Sequence, residues 1–138
     1  MILSAEEFVR LRESEDPSEY IRSGVDTAEL SVWLDIIYKY PEMRVWVARN
    51  RTVPPEVIRL LAKDNDPLVS GSISRKYPLE DDLYHDLSRD IDEGIRAGLT
   101  YNKKIPIDIL KYMSENDSSE FVKEVALEKY NQRIYSDN

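Results

Sequence analysis

The sequence predicts an all-α fold, a short α-solenoid of stacked helical hairpins closed by capping helices at both ends, and two observations carry that prediction. The chain repeats: a slide of 26 residues places Met43, Val69, Ile95 and Phe121 in one column and Val47, Ile73, Leu99 and Val125 in a second, with Ala48, Ser74, Thr100 and Ala126 just behind. The same slide stacks Val57, Leu83 and Ile109, and then Leu61, Leu87 and Met113. Self-similarity at such a period is the signature of a helical array. Inside one unit the apolar spacing is helical on both sides of a polar turn, at Met43 and Val47 and again at Val57, Ile58 and Leu61. A hairpin this short has one apolar face and cannot bury it alone, so neighbouring units must stack.

Taken in order, Ser4 with Glu7 makes a capping box that opens a helix through Glu13, turning Phe8 and Leu11 inward. Ser14, Glu15, Asp16 and Pro17 break it. A second short helix over 18–23 is expected to stop at Gly24, whose freedom at positive φ suits a helix end. Asp26 or Thr27 then caps a helix over 28–39 in which Leu30, Trp33, Leu34 and Ile37 share one face and are all expected to be buried. Residues 1–40 thus read as an N-terminal cap and an eroded repeat, and 41–118 as three repeats, 43–66, 69–92 and 95–118. In the first, Pro54 and Pro55 open the second helix where proline costs no hydrogen bond. Residues 50–53 form the turn inside the hairpin, and 64–67 form the turn to the next. Residues 119–138 supply a C-terminal capping helix, with Phe121, Val122, Val125, Ala126 and Tyr130 on its apolar face, and a frayed tail from Tyr135. The whole chain reads as one helical domain.

The segments Val47-Ala48-Arg49-Asn50, Pro54-Pro55-Glu56-Val57 and Leu60-Leu61-Ala62-Lys63-Asp64-Asn65-Asp66 resemble the leucine-rich repeat variant, a relative of HEAT-type repeats. The third unit matches less closely, through Asn102, Pro106, Asp108-Ile109-Leu110 and Met113 to Asp117, and the second poorly. The resemblance covers roughly 41–126 and implies a right-handed superhelix of alternating short 3₁₀ or α segments and longer helices. Two departures stand out: Val53, Leu79 and Ile105 occupy the place of a capping hydroxyl residue, and Glu80-Asp81-Asp82 replaces the prolines of the middle unit. An iron–sulfur cluster carried by one branch of the family on a cysteine-rich appendage does not transfer, because the chain has no cysteine.

Apolar residues at 41 % and charged residues at 33 % describe a soluble globular chain. No apolar run approaches the roughly 20 residues that span a bilayer. The N-terminal segment lacks the basic start and apolar core of a signal peptide, so a cytoplasmic location is expected. The net charge of −8 argues against nucleic-acid binding, which needs a basic face. The charge is banded: from Glu80 to Glu93 seven carboxylates stand against Arg89 alone, while from Arg44 to Lys63 five basic residues stand against Glu56.

Asp82, Asp86 and Asp90 fall four apart and form a carboxylate row on the helix beginning near Glu80, with His85 close by. Three aspartates of this kind read more simply as a solvated or partner-binding face than as a divalent-metal or acid–base site. With one histidine and no cysteine, zinc hydrolysis and triad chemistry lose their usual parts, and the chain reads as non-catalytic, without metal or cofactor. Trp46 reads either as packing in the groove against Trp33 or Tyr20 or as an exposed anchor for a partner. Tyr84 shares the column of Ile58 and Leu110 and reads as core; Tyr112 shares that of Leu60 and Asp86 and reads as exposed. HEAT-like arrays present their second helices on a concave side, and the expected partner-binding residues on that side are Arg59, Lys63, Asp82, His85, Asp86, Arg89, Asp90, Lys111, Tyr112 and Glu115.

The leading functional expectation is therefore a protein–protein interaction module, specifically an immunity or inhibitor protein whose acidic band covers a basic enzyme such as a nuclease toxin. The alternative is a general adaptor or assembly subunit that holds a peptide or self-associates. A third reading, a HEAT-like DNA-repair glycosylase using tryptophan and aspartate in a basic groove, runs against the charge balance. A monomer or weak homodimer is expected.

Overall fold

In a computed structural model of the chain, which describes residues 1–136, the described residues form helices and turns with no strand. A single parallel bridge pairs Ile2 with Ala28. The helices are α1 (Ala5–Glu13), α2 (Pro17–Tyr20), α3 (Arg22–Val25), α4 (Leu30–Lys39), α5 (Arg44–Arg49) after a 3₁₀ turn at Pro41–Met43, α6 (Pro55–Ala62), α7 (Pro67–Ser74), α8 (Asp81–Leu87), α9 (Glu93–Leu99), α10 (Ile107–Asn116) and α11 (Glu120–Ser136). The chain divides into two compact units, Met1–Ile73 and Ser74–Asn138. The division falls at the end of α7, inside the middle repeat of the sequence.

In the first unit the Ser4 hydroxyl caps α1 by accepting the Glu7 N–H at 3.0 Å. Phe8 and Leu11 are fully buried, and the Phe8 ring meets Trp33 edge-on, 5.8 Å between centroids. Ile2, which no periodicity marked, is also fully buried because its N–H donates to Thr27 O at 2.8 Å and holds the chain end in place. Helix α4 begins at Leu30, two residues later than expected, since Thr27 and Ala28 are taken up by that contact. The expected buried face therefore shifts: Trp33, Ile36 and Ile37 are buried, Leu34 is half-buried and Leu30 is exposed. Gly24 also departs from expectation. It lies inside α3 with no positive φ, and Asp26 ends that helix by donating its N–H to Arg22 O.

The repeat columns are core columns in each unit. In the first, Met43, Val47, Ala48, Val57 and Leu61 are buried; in the second, Leu83, Leu87, Ile95, Leu99, Ile109 and Met113 are. Val53, Leu79 and Ile105 are buried as well, so the position that lacks a capping hydroxyl is a packing position here, and α6, α8 and α10 start without a side-chain cap. Phe121 breaks its column at 58 % exposed. Helix α11 turns Val122, Val125 and Ala126 inward at the i, i+3, i+4 spacing, and Phe121, about 100° away from Val122 at 3.6 residues per turn, faces out. Helix α11 packs on α9 and α10 and runs through Ser136, so the expected fraying does not extend to Tyr135 and Ser136; 137–138 lie outside the described residues.

Two polar side chains tie each unit together. Asn50, fully buried, donates to Ser23 O and Asp26 O at 2.9 and 3.0 Å and accepts the Thr52 N–H at 2.7 Å. Asn102 donates to Ser74 O and Lys76 O at 2.8 and 2.6 Å and accepts the Lys104 N–H at 3.0 Å. Each asparagine thus satisfies carbonyls left open by chain about one repeat earlier. Arg44 donates to Ile37 O and pairs with Asp64 at 3.3 Å, while Arg96 donates to Asp90 O and holds Asp117 with two nitrogens at 3.0 and 3.2 Å.

Candidate functional site

Helix α8 begins at Asp81, where backbone N–H groups left without helical partners favour acidic side chains. Leu83, Tyr84 and Leu87 point into the core, which leaves Asp81, Asp82, His85 and Asp86 exposed on the opposite face. The expected row of three aspartates is cut to two. The helix ends at Leu87, and Asp90 belongs to the following turn, where its carboxylate accepts the Asp92 N–H at 2.9 Å and its carbonyl accepts from Arg96. On α10 the side chains of Lys111, Tyr112 and Glu115 are exposed, Tyr112 at 57 %.

Arg89, Asp90 and Tyr112 meet around an open pocket of about 440 Å³ in the second unit. Its walls include Ile91 and Asn116, and the Arg96–Asp117 pair lines it with side chains only 11 % and 3 % exposed. Ile91 is the feature that the repeat register missed. It stands 98 % exposed, its carbonyl accepting from Arg96 at 3.3 Å, so the backbone is held while the side chain projects into solvent. The signal was present in the sequence as an apolar residue inside an otherwise acidic run, at a place where no column asks for one. Of the other expected partner-binding residues, Asp82, His85, Asp86, Lys111 and Glu115 lie on α8 and α10 outside that lining, while Arg59 and Lys63 belong to α6 and its C-terminal cap in the first unit.

Tyr84 is core, as its column implies, and it is also wired: its hydroxyl accepts the Leu79 N–H at 3.2 Å and donates to Asn102 Oδ1 at 2.9 Å. Burial pushes its phenol above the usual tyrosine range. Burial also lowers Lys76 below the usual lysine range. In the first unit, Trp46 is half-buried beneath two guanidinium groups, Arg12 at 4.0 Å and Arg49 at 5.1 Å from its ring. Arg12 also lies 5.5 Å from the Tyr20 ring, so the tryptophan packs toward Tyr20 through an arginine and not by direct ring contact. Among the described residues no three of histidine, cysteine, aspartate or glutamate converge as a metal-binding group, and no helix is long and apolar enough to cross a membrane.

Comparison with protein-family models, characterised proteins and solved structures finds no match to this chain.

Proposed function

We propose that the chain is a non-catalytic protein-docking module whose contact surface is the α8–α10 side of its second unit. The observation that carries this reading is Ile91, 98 % exposed at a pocket it shares with the half-exposed Tyr112 and with Arg89 and Asp90. An isolated apolar anchor next to an aromatic, rimmed by charge, has the composition of an interface centre. The charges of the pocket itself balance, Arg89 and Arg96 against Asp90 and Asp117, so steering of a partner with a basic surface is assigned to the exposed Asp81, Asp82 and Asp86 of α8 in the same unit. A small cationic enzyme such as a nuclease toxin, held inactive by this chain as its immunity protein, is the specific partner class in this reading; the net charge of −8 supports it. The right-handed, HEAT-like solenoid belongs to the same proposal, supported by burial of the repeat columns within each unit.

Retention of proteins from a native lysate on immobilised wild-type chain tests the surface. A basic protein should be retained, lost with Ile91→Asp or Tyr112→Ala, and captured about tenfold more slowly at low salt by the Asp82→Asn, Asp86→Asn variant. Inhibition of a nuclease activity in the retained protein by equimolar chain would establish the toxin. Equal retention by wild type and Ile91→Asp would remove this docking surface.

A further inference from the structure

Unit two holds a second cavity, of about 310 Å³, between the loop that follows α9, the side of α10 and the C-terminal half of α11. Thr100, Tyr101, Lys103, Leu110, Lys129 and Arg133 line it, with two amide side chains and a serine completing the wall. Three cations and no carboxylate among the described lining residues is an unexpected composition in a chain with 27 acidic and 19 basic residues. Two lysines elsewhere pair with carboxylates, Lys39 with Asp35 and Lys123 with Glu120. Among the described residues neither Lys103 nor Lys129 does. Lys129 sits 4.1 Å from the centre of the Tyr101 ring and reaches only the Gln132 amide oxygen, at 3.5 Å. Lys103 sits 5.8 Å from the Tyr77 ring.

Arg133 fixes the cavity. Its guanidinium donates to the carbonyls of Asn102, Lys103 and Ile105, and Asn102 holds the other side of the same loop by bonding Ser74 O and Lys76 O. The loop is therefore ordered before any ligand arrives, which removes a large part of the usual cost of binding. What it presents is positive potential in a concavity, with Lys129 4.1 Å from the Tyr101 ring and Lys103 5.8 Å from the Tyr77 ring, neither ammonium with an anionic partner among the described residues. A carboxylate would satisfy part of this; a phosphate, with more charge and three acceptor oxygens, would satisfy all of it. The site is an open depression whose volume lies at the lower end of the range for small-ligand sites.

We propose that this cavity binds the phosphate groups of a small phosphorylated ligand, with Lys103 and Lys129 as the anion contacts and Arg133 as the residue that positions the loop. The test is a titration of the full chain with sodium pyrophosphate followed by amide NMR shifts, with sodium chloride at matched ionic strength as control and ADP as a second probe. Saturable shifts at residues 100–104 are expected, with affinity about tenfold weaker in Lys129→Gln and weaker still in the Lys103→Met, Lys129→Met variant. Lys111→Met, on the exposed face of α10 away from the cavity, should bind as wild type does. Tighter binding of ADP than of pyrophosphate, with shifts of the Tyr101 ring protons, would identify a nucleotide as the source of the phosphate; the reverse order would identify a non-aromatic phosphate. Both orders support the site. Identical shifts from sodium chloride, or unchanged affinity in Lys129→Gln and the double variant, would overturn it.

Discussion

The turn at Asn50 in the first unit and the turn at Asn102 in the second are two solutions to one problem. Both asparagines are buried and donate to two carbonyls of an earlier segment, and both accept the N–H two residues on. They differ in what else is attached. In the first unit the second acceptor position faces the Thr52 hydroxyl, whose single proton can go either to Asn50 Oδ1 at 2.7 Å or to Asp26 O at 3.0 Å. In the second it is filled by the buried Tyr84 phenol, and Arg133 covers the outer side of the loop. The arginine clamps differ in the same direction: Arg44 and Asp64 have side chains 30 % and 11 % exposed, Arg96 and Asp117 only 11 % and 3 %. The repeat preserves a buried, backbone-directed asparagine in each unit, and the second unit embeds its arginine clamp more deeply. Its stability should therefore rest on fewer, costlier side chains.

The largest expected effect follows from the clamps. Arg96→Ala leaves the Asp117 carboxylate buried without its partner and should destabilise the second unit by about 3–5 kcal/mol, whereas Arg44→Ala, at a more exposed pair, should cost the first about 1 kcal/mol. Amide hydrogen exchange separates the two by reading α9 and α10 against α5 and α6. Equal losses would break the comparison.

Asn102→Ala comes next. It strips partners from Ser74 O, Lys76 O and the Tyr84 hydroxyl at once, and should cost about 3 kcal/mol. Asn50→Ala should cost about 1 kcal/mol less, because Thr52 still serves Asp26 O. Urea unfolding followed by tryptophan fluorescence reports the first unit, where Trp33 and Trp46 both lie, and hydrogen exchange reports the second.

A smaller effect appears with pH. The Tyr84 phenol is raised by burial, so its contribution is complete below the ordinary tyrosine value of about 10 and is lost as pH climbs from there through the higher folded value. Its counterpart by the 26-residue slide in the first unit is Ile58, which has nothing to ionise. Tyr40 in the first unit is also raised, by the bond it donates to Glu6, but that pair is exposed and screened. Alkaline hydrogen exchange should therefore loosen α8 to α10 before α4 to α6, and Tyr84→Phe should abolish the difference.

These asymmetries mark the limit of what the sequence made legible. The 26-residue columns located about half of the core, and helical spacing outside them added Phe8, Leu11, Trp33 and Ile37, because burial of one apolar face is written directly into spacing, whereas Ile2, Ile36 and Ala97 were marked by neither. Phe121 and Leu30 escaped because each stands in the first turn of its helix beside the face that is buried, which falls on Val122, Val125 and Ala126 in α11 and on Trp33, Ile36 and Ile37 in α4. Asn50 and Asn102 were visible as turn residues, yet their reach to carbonyls of an earlier segment depends on tertiary closeness that no local pattern encodes. For the proposed docking surface, the acidic band was readable as composition. The pocket was not, since it is made by the end of α8 at Leu87 and by the clamp that holds the Asp90–Ile91 turn, neither of which periodicity specifies.

Glycine gives the finest version of the comparison. Gly24 in α3 and Gly98 in α9 are both helical, neither has a positive φ, and a Cβ built on either meets nothing within 4 Å. Replacing each with alanine removes backbone freedom from the unfolded chain without a clash, and the gain is about 0.5–1 kcal/mol at an interior helical position. Both are one residue from the C-terminal end of their helix, so each should gain less than that amount, Gly98 in its seven-residue helix more than Gly24 in its four-residue one. Thermal unfolding of the two variants checks this to within about 2 °C. A loss in Gly24→Ala would mean that this residue adopts the left-handed backbone its position in the sequence first suggested, and that α3 ends before it.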